Sequence, residues 1–321
     1  MVSRRDFGKI ALAGLPVSAL LGATIDSTVN GVHLGASTYS FRDFPRTKGQ
    51  DIVDPVIKAL QFCKVGEIEL YSPTIEPAGA ILPPEAPAPY GMPRPPRVPR
   101  TEEQAALEKS NREELRRWRE SAPASHFEAI AKKFDNAGVK IFAYTVNFND
   151  TFSDGELDAA FIQAKALRAE VIATSTTLSM AKRVAPFADK HQVIVALHGN
   201  SNLDPNRFAS AESFAKGMEL SKFFKVNLDI GHFTAANFDA AAYIRENHDR
   251  ITHLHIKDRK KNDGTNESFG EGDTPIKGVL SLLKKERYPI RAFVEYEYLG
   301  IRTSPEEVKR CMDYMRNALS A

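Results

Sequence analysis

The chain has 321 residues, of which 42% are hydrophobic and 26% are charged, and its formal net charge is +2. This composition is that of an ordinary globular protein, and it offers no basic excess for binding nucleic acid or an anionic membrane surface. Residues 1–23 hold three positive side chains and one negative, so the remainder is formally neutral. Length alone would suggest two domains, but α/β barrels of this size commonly form one.

The first 23 residues have the pattern of an export signal. Arg4 and Arg5 precede the apolar run IALAGLPVSALLGA, which is too short to span a membrane comfortably. The arginine pair, followed by Asp-Phe-Gly-Lys, resembles the twin-arginine signal that exports folded proteins. The alternative is an amphipathic N-terminal helix. We expect a signal peptide over 1–23, a periplasmic location, and one barrel domain over 31–321.

Beyond residue 30, short apolar runs alternate with amphipathic stretches. About eight repeats of strand then helix predict a parallel sheet, which right-handed crossovers favour closing into a (β/α)₈ barrel. An open doubly wound sheet is the runner-up, but no glycine-rich phosphate turn follows the first strand. The predicted strands cover 33–38, 67–71, 139–146, 170–174, 192–198, 224–229, 251–256 and 290–296. The predicted helices cover 49–62, 105–137, 155–167, 177–190, 207–222, 236–248, 275–286 and 304–319.

Local signals support several of these boundaries. Ser153 and Ser304 are predicted N-caps, and a proline at N1 follows the second of them. Gly138 is predicted to end a helix as a C-cap glycine. Residues 73–100 break the pattern, because prolines at the density of PEAPAPYGMPRPPRVPR favour extended chain. This insertion follows the second strand and is either a lid or oligomer contact over the site, or a tolerated surface insertion.

Two cysteines, Cys63 and Cys311, fall within apolar stripes of predicted helices. Two small buried side chains are the simpler interpretation, and a single disulfide in an oxidising compartment is the alternative.

Ionisable residues stand at the ends of five predicted strands. In α/β barrels the catalytic groups come from the C-terminal ends of several strands, so these side chains should converge. An apolar strand that ends in an ionisable group is costly unless that group is paired or bound. Mixed imidazole and carboxylate ligands without thiolates suit Mn²⁺ or Mg²⁺, with Co²⁺ or Zn²⁺ as alternatives. The strand-end residues are Glu69, His198, Asp229, His255 and Glu295.

Three motifs, LDIGH, HLHIKD and FVEYE, occur in this order at the sixth, seventh and eighth predicted strands. Together they resemble the sugar phosphate isomerase/epimerase superfamily, also called the xylose isomerase-like barrels. The resemblance covers nearly everything after residue 30 and implies a sugar substrate. It implies that Asp229, His255 and Glu295 bind a divalent metal and that His232 contacts substrate.

The fifth predicted strand departs from that family. Family epimerases place a metal-binding glutamate there, and two glutamates on opposite faces of the sugar exchange protons. This chain has His198 instead, which can ligate a metal but removes the symmetry. Aldose–ketose isomerisation and lyase or hydratase chemistry on a keto-sugar therefore stay open beside epimerisation. Some exported members of this superfamily are associated with keto-glycoside breakdown.

We expect a metal-dependent isomerase or epimerase that abstracts a proton next to a carbonyl group. Glu295 or Glu69 is the expected base, while His232 or Lys257 would stabilise the enediolate oxygen. Glu69 could instead be an internal ion-pair partner. The alternatives are a keto-sugar lyase or hydratase and a non-catalytic exported sugar-binding protein. We expect neither nucleic-acid binding nor stable membrane insertion. A homo-oligomer is possible from the sequence. The remaining expected substrate contacts are Tyr39, Asn147, Asn200 and Arg259.

Overall fold

The computed structural model describes residues 24–79 and 101–321. The signal peptide expected over 1–23 lies outside the described residues, as does the 80–100 portion of the proline-rich insertion. A short 3₁₀ turn, Ser72–Thr74, directly follows the second barrel strand and includes the first residues of the insertion.

Eight parallel strands form a closed barrel, which confirms the predicted fold class. The strands are hydrogen-bonded in the order β2-β11-β8-β7-β6-β5-β4-β3, and a further pairing of β2 with β3 closes the ring. Strands of a parallel barrel are covered on both faces, which explains why they read as continuous apolar runs. The barrel strands are β2 (Val32–Ser37), β3 (Glu67–Tyr71), β4 (Lys140–Thr145), β5 (Val171–Thr174), β6 (Ile194–His198), β7 (Phe224–Asp229), β8 (Ile251–Ile256) and β11 (Arg291–Val294).

Three short strands lie outside the barrel. β1 (Thr28–Val29) pairs antiparallel with β2. It lies before residue 31, at which the sequence predicted the start of the barrel domain. Asn30 and Gly31 link the two strands with φ of 49° and 83°. Positive φ at both central residues is the signature of a tight hairpin turn, and asparagine followed by glycine is the pair that tolerates it best. The other two short strands, β9 (Asp258–Arg259) and β10 (Asn266–Glu267), form a hairpin beyond β8.

Helices follow the barrel strands as predicted, with two differences. The single helix expected over 105–137 is wrong: it is two helices separated at Ala122 and Pro123, because proline cannot donate to a continuing helix and disfavours helical backbone before it. A short helix directly after β7 was not predicted. The helices are α1 (Val53–Cys63), α2 (Glu102–Ser121), α3 (Ala124–Asn136), α4 (Asp154–Ala166), α5 (Leu178–His191), α6 (Ala211–Met218), α7 (Ile230–Ala235), α8 (Ala240–Asn247), α9 (Ile276–Glu286) and α10 (Ser304–Ser320).

The predicted caps are mostly confirmed. Ser153 accepts a hydrogen bond from the backbone of Glu156 in a capping box at the start of α4. Gly138 has a φ of 75° after α3, as expected of a C-cap glycine. At α10 the prediction is wrong by one residue, since Thr303 is the N-cap and Ser304 is the first helical residue.

The main core lies between the strands and the surrounding helices, and a smaller apolar cluster fills the barrel interior. In that interior the rings of Phe142 and Phe293 pack edge to face with centroids 5.8 Å apart, and both contact His253. Cys63 and Cys311 are buried free thiols, and burial raises the pKa of each to about 12. Among the helices within 24–79 and 101–321, none combines the length and apolarity that crossing a membrane requires.

Candidate active site

The C-terminal ends of the strands surround a cavity of about 260 Å³. Strand register sets which residues meet there: Asp229 on β7 is the direct neighbour of His255 on β8, and His198 on β6 is the neighbour of Asn227. Because successive side chains alternate between faces, residues two apart on these strands both point into the barrel. Two layers of polar side chains result, one at the cavity floor and one beneath it.

The upper layer consists of His198, Asp229, His255 and Glu295, which is the set predicted from the sequence to hold a metal. Each offers one nitrogen or oxygen atom, and these four atoms lie within 4.8 Å of one another. His198 Nε2 is 2.9 Å from His255 Nδ1 and 3.7 Å from Asp229 Oδ2. His255 Nδ1 is 3.3 Å from Glu295 Oε2.

These four residues fit a divalent cation. First-row divalent ions lie about 2.0–2.2 Å from imidazole nitrogen and carboxylate oxygen, which places neighbouring ligand atoms about 3–4 Å apart. Asp229 Oδ2 is buried without a hydrogen bond from any described residue, although Lys257 Nζ lies 3.1 Å away. A buried carboxylate oxygen left in this condition is costly, and a metal ion would satisfy it.

The lower layer is built around Glu69 in the middle of β3. Its side chain is fully buried; Oε2 accepts hydrogen bonds from His253 Nε2 at 2.7 Å and His255 Nε2 at 2.8 Å. Oε1 accepts a bond of 3.2 Å from Ser37, and the other ring nitrogen of His253 lies 2.8 Å from the Thr252 hydroxyl. Both oxygens of Glu69 are therefore engaged, and Asn227 also donates to Oε2 at 3.2 Å while its own Oδ1 is buried without a partner among the described residues.

His255 joins the two layers, since its Nε2 contacts Glu69 while its Nδ1 faces Glu295. Burial lowers the pKa of His255, but the negative charges of Glu69 and Glu295 outweigh burial and hold that pKa well above its usual range. The raised pKa means that negative charge is in excess around the His255 imidazole. A cation in the upper layer would offset that excess and displace the proton.

Lys257 extends from the end of β8 into the same space. Its Nζ lies 2.7 Å from Glu295 Oε2 and also forms an ion pair with Glu297. Burial raises the pKa of Glu297, but the Lys257 charge reverses this effect, so that the pKa of this carboxyl lies below its usual value. Glu297 is therefore ionised at neutral pH and lies beside an ammonium group at the cavity wall.

His232 enters the site from the first turn of α7. Asp229 caps this helix by accepting a hydrogen bond of 2.8 Å from the His232 backbone. A Cβ at Gly231 would lie 2.7 Å from the Lys257 carbonyl oxygen, so glycine allows the helix to pack against the end of β8. Burial, followed by the Lys257 charge, lowers the pKa of His232 to about 4. Its imidazole is therefore neutral at physiological pH.

The walls of the cavity combine aromatic and uncharged polar side chains. Tyr39 and Tyr71 form an edge-to-face pair with ring centroids 5.0 Å apart. Asn147 accepts a backbone hydrogen bond from Ser175 at 2.8 Å, which leaves its amide NH₂ group for other partners. The hydroxyl of Thr145 is buried and has no hydrogen-bond partner among the described residues. Aromatic faces and such polar groups are what a sugar ring requires.

The structure brings most of the predicted site residues together. The cavity lining includes Tyr39, Asn147 and His232 among the expected substrate contacts, but neither Asn200 nor Arg259. The Asn200 side chain accepts from the backbone of Asn202 in a local loop turn, and Arg259 bonds to the loop around it. These loop contacts depend on backbone conformation that a strand pattern does not specify.

Sequence reasoning did not select several lining residues. Asn227 and Tyr71 each lie two positions from a strand-end residue that it did select, so strand alternation could have identified them. Thr145 ends β4 and Ser175 follows β5, where hydroxyl side chains carry no distinctive signal. Glu297, two residues after Glu295 and on the same face of the strand pattern, lines the cavity as well.

Residues 173–318 match the family model described as a xylose isomerase-like TIM barrel. Among solved structures, D-psicose 3-epimerase from Clostridium cellulolyticum H10 is 11% identical with a TM-score of 0.58, over 90% of this chain and 99% of that one. An L-ribulose 3-epimerase is 11% identical with a TM-score of 0.59, over 90% and 95% of the two chains. The probable 3-DHS dehydratase of Bacillus anthracis is 11% identical with a TM-score of 0.58, over 88% and 98%. At these identities the likeness shows the fold alone, and no curated protein sequence matches the chain.

Proposed function

We propose that this xylose isomerase-like TIM barrel is a divalent-metal-dependent isomerase or epimerase that acts on a sugar or keto-sugar by removing a proton next to a carbonyl group. One observation carries the proposal: four potential ligand atoms from four separate strands lie within 4.8 Å of one another at the floor of a cavity. Two of the similar structures are sugar epimerases by their names. A protein that only binds sugar rarely needs such a ligand set.

His198, Asp229, His255 and Glu295 are the residues that would hold the cation. A bound divalent ion would supply the positive charge that polarises a carbonyl or hydroxyl oxygen of the substrate. Because the four donors are nitrogen and oxygen without thiolate, we favour Mn²⁺ or Mg²⁺ and keep Co²⁺ and Zn²⁺ as alternatives.

We assign the proton-accepting role to Glu297, or to Glu295 if that residue leaves the metal. Both carboxylates contact the Lys257 ammonium, whose charge keeps them ionised and ready to accept a proton. Lys257 can then donate one of its own protons to the substrate and recover a proton from the protonated carboxyl beside it, and His232 can donate a hydrogen bond to a substrate oxygen. Glu69 is engaged by His253 and His255, so we assign it to positioning His255.

Lyase or hydratase chemistry on a keto-sugar is the second candidate. The observation that favours it is the asymmetry of the site: Glu297 lies just beyond β11, His198 occupies the β6 side, and the other lining carboxylate outside the metal set, Glu69 on β3, is engaged by His253 and His255. An epimerase that exchanges protons on both faces of a sugar would need a second carboxylate opposite the first. One similar structure is a probable dehydratase by its name.

Incubation of the metal-loaded protein with candidate sugars in deuterated water separates these functions. An isomerase or epimerase incorporates deuterium into recovered sugar, whereas a lyase or hydratase forms an unsaturated, cleaved or hydrated product. If neither outcome occurs with any keto-sugar or aldose, the proposed activity is wrong and a sugar-binding protein is favoured.

Two variants assign the base in the same assay. Glu297→Gln should reduce turnover by about 10²–10⁴-fold with metal content unchanged, since general-base catalysis is typically worth that much. Glu295→Gln should reduce both turnover and metal content. Full activity of Glu297→Gln would return the proton-accepting role to Glu295.

We also propose that the chain is exported to the periplasm in the folded state through the twin-arginine pair. Replacement of Arg4 and Arg5 by lysine should retain the protein in the cytoplasm of the expressing cell. Cell fractionation with an otherwise identical wild-type chain as the control tests this proposal, and equal periplasmic yields would contradict it.

A further inference from the structure

Arg259 is buried behind His232, outside the cavity lining, and holds the imidazole from the side away from the cavity. Its Nη1 lies 2.8 Å from His232 Nδ1 and 2.9 Å from the Ser201 hydroxyl. Its Nε and Nη2 donate to the Gly264 carbonyl oxygen at 3.1 and 2.6 Å, and Nη2 also reaches Asp263 Oδ1 at 3.2 Å.

These contacts account for all five N–H groups of the guanidinium. Nε has one hydrogen, which the Gly264 carbonyl accepts, and Nη2 has two, which this carbonyl and Asp263 accept. Nη1 has two, and its two acceptors are Ser201 Oγ and His232 Nδ1. Ser201 itself donates to Asp263 Oδ1 at 2.7 Å, so its oxygen is available to accept. Arg259 therefore has no N–H left for a substrate.

An arginine side chain has no acceptor and is not deprotonated in proteins. His232 Nδ1 can contact it favourably only as a hydrogen-bond acceptor, without a hydrogen of its own. The hydrogen of the neutral imidazole then lies on Nε2, the nitrogen that faces Lys257 and the metal-ligand carboxylate Asp229.

We propose that Arg259 is a positioning residue that locks His232 in the Nε2–H tautomer, so that His232 serves as a fixed hydrogen-bond donor to an oxygen of the substrate. This role rests on the proposed function, because it requires a substrate whose oxygen gains negative charge during the reaction. A preorganised donor aimed at such an oxygen is worth far more in a buried site than in water.

The competing arrangement has Lys257 donate to His232 Nε2 across 3.2 Å. It would place the remaining hydrogen on Nδ1, directed at the Arg259 guanidinium at 2.8 Å. Lys257 Nζ is ion-paired with Glu295 and Glu297, so it does not depend on His232 as an acceptor, whereas no other described residue accepts the fifth N–H of Arg259. The guanidinium contact therefore decides the tautomer.

Long-range ¹H–¹⁵N correlation spectra of histidine-labelled, metal-free protein distinguish the two tautomers of a neutral imidazole. The chain has eight histidines, and the spectrum of His232→Gln assigns the signal by its loss. We expect the wild-type signal to show the Nε2–H form. In Arg259→Met the signal should change to the Nδ1–H form or a mixture.

Lys261→Met is the matched control, since Lys261 is an exposed cation on the same loop and its backbone contacts Asp273 rather than His232. It should leave the tautomer unchanged. Arg259→Lys keeps the positive charge but not the planar set of guanidinium donors. An Nε2–H signal in this variant would show that the charge alone fixes the tautomer, and it would overturn the role assigned to the guanidinium donors. A wild-type Nδ1–H signal, or the wild-type tautomer in Arg259→Met, would overturn the lock itself.

The spectra need neither metal nor turnover, so they separate this inference from the proposed function. If deuterium exchange and elimination are both absent while the tautomer shift is present, the proposed reaction fails and the lock stands. If the reaction is present, Arg259→Met should lower kcat about tenfold or more and change KM little, because the lost interaction belongs to the transition state.

Discussion

The two polar layers inside the barrel differ in how completely they satisfy themselves. In the lower layer, Glu69 accepts hydrogen bonds from Ser37 and His253 as well as from His255, and both ring nitrogens of His253 have a partner. In the upper layer, Asp229 Oδ2 and His198 Nδ1 are buried without a hydrogen bond from any described residue. Yet both layers are built from imidazole and carboxylate side chains that point into the barrel.

In the lower layer the carboxylate of Glu69 and the ring of His253 are fully paired, and the buried side-chain atom left without a partner among the described residues is the neutral Asn227 Oδ1, so this layer is explained as structure that orients His255. An incomplete network of the same composition is costly unless a ligand completes it, and the upper layer is open to the cavity where a ligand can enter. The difference between the layers, more than the presence of histidines and acids, indicates a binding site.

The largest expected effect follows from removing one charge of the upper layer. Asp229→Asn keeps a side-chain oxygen that can cap α7 but loses the carboxylate that would bind the cation. We expect the affinity for Mn²⁺ to fall by more than about 100-fold, beyond the cost of altering residues that only orient ligands. Isothermal titration calorimetry measures this change, and wild-type affinity in the variant would remove Asp229 from the ligand set.

The pH dependence of stability provides the next test. The pKa of His232 is about 4 in the folded chain, below the ordinary value of 6.5, so the unfolded state takes up a proton first as the pH falls. This group should cost the metal-free protein up to about 3 kcal/mol of unfolding free energy between pH 6.5 and pH 4. His232→Gln should lose less stability over that window in urea unfolding. Identical pH profiles of the two proteins would contradict the assigned neutral state.

The smallest effect is expected from the lower layer. Glu69→Gln should weaken Mn²⁺ binding by about 10–100-fold, the usual cost of losing a group that orients a metal-binding histidine. Glu67→Gln is the matched control on the same strand, because Glu67 pairs with Arg291 outside the cavity lining. The control should leave Mn²⁺ binding unchanged. A Glu69→Gln affinity equal to that of the control would show that the layers are not coupled through His255.

The eight strands and the upper layer were predictable from the sequence for one physical reason. Both faces of a barrel strand are buried, so the apolar runs are long, and an ionisable residue that ends such a run stands out. Because parallel strands end at one rim, His198 and Asp229 on neighbouring strands had to lie close together.

What could not be predicted depends on contacts between distant segments. Glu69 looked like a candidate base, and only the pairing of β3 with its neighbours, together with the reach of His253 and His255, shows that it is fully engaged. Arg259 looked like a substrate contact, but the loop that follows it uses its donors. The sequence shows that both residues are present but does not show which atoms each one contacts.

The most direct measurement is an anomalous difference map from crystals of the protein grown with Mn²⁺. We predict a single strong peak bounded by His198, Asp229, His255 and Glu295. A map without a peak at that position, at a concentration of Mn²⁺ that saturates the protein in solution, would contradict the metal centre and the chemistry proposed from it.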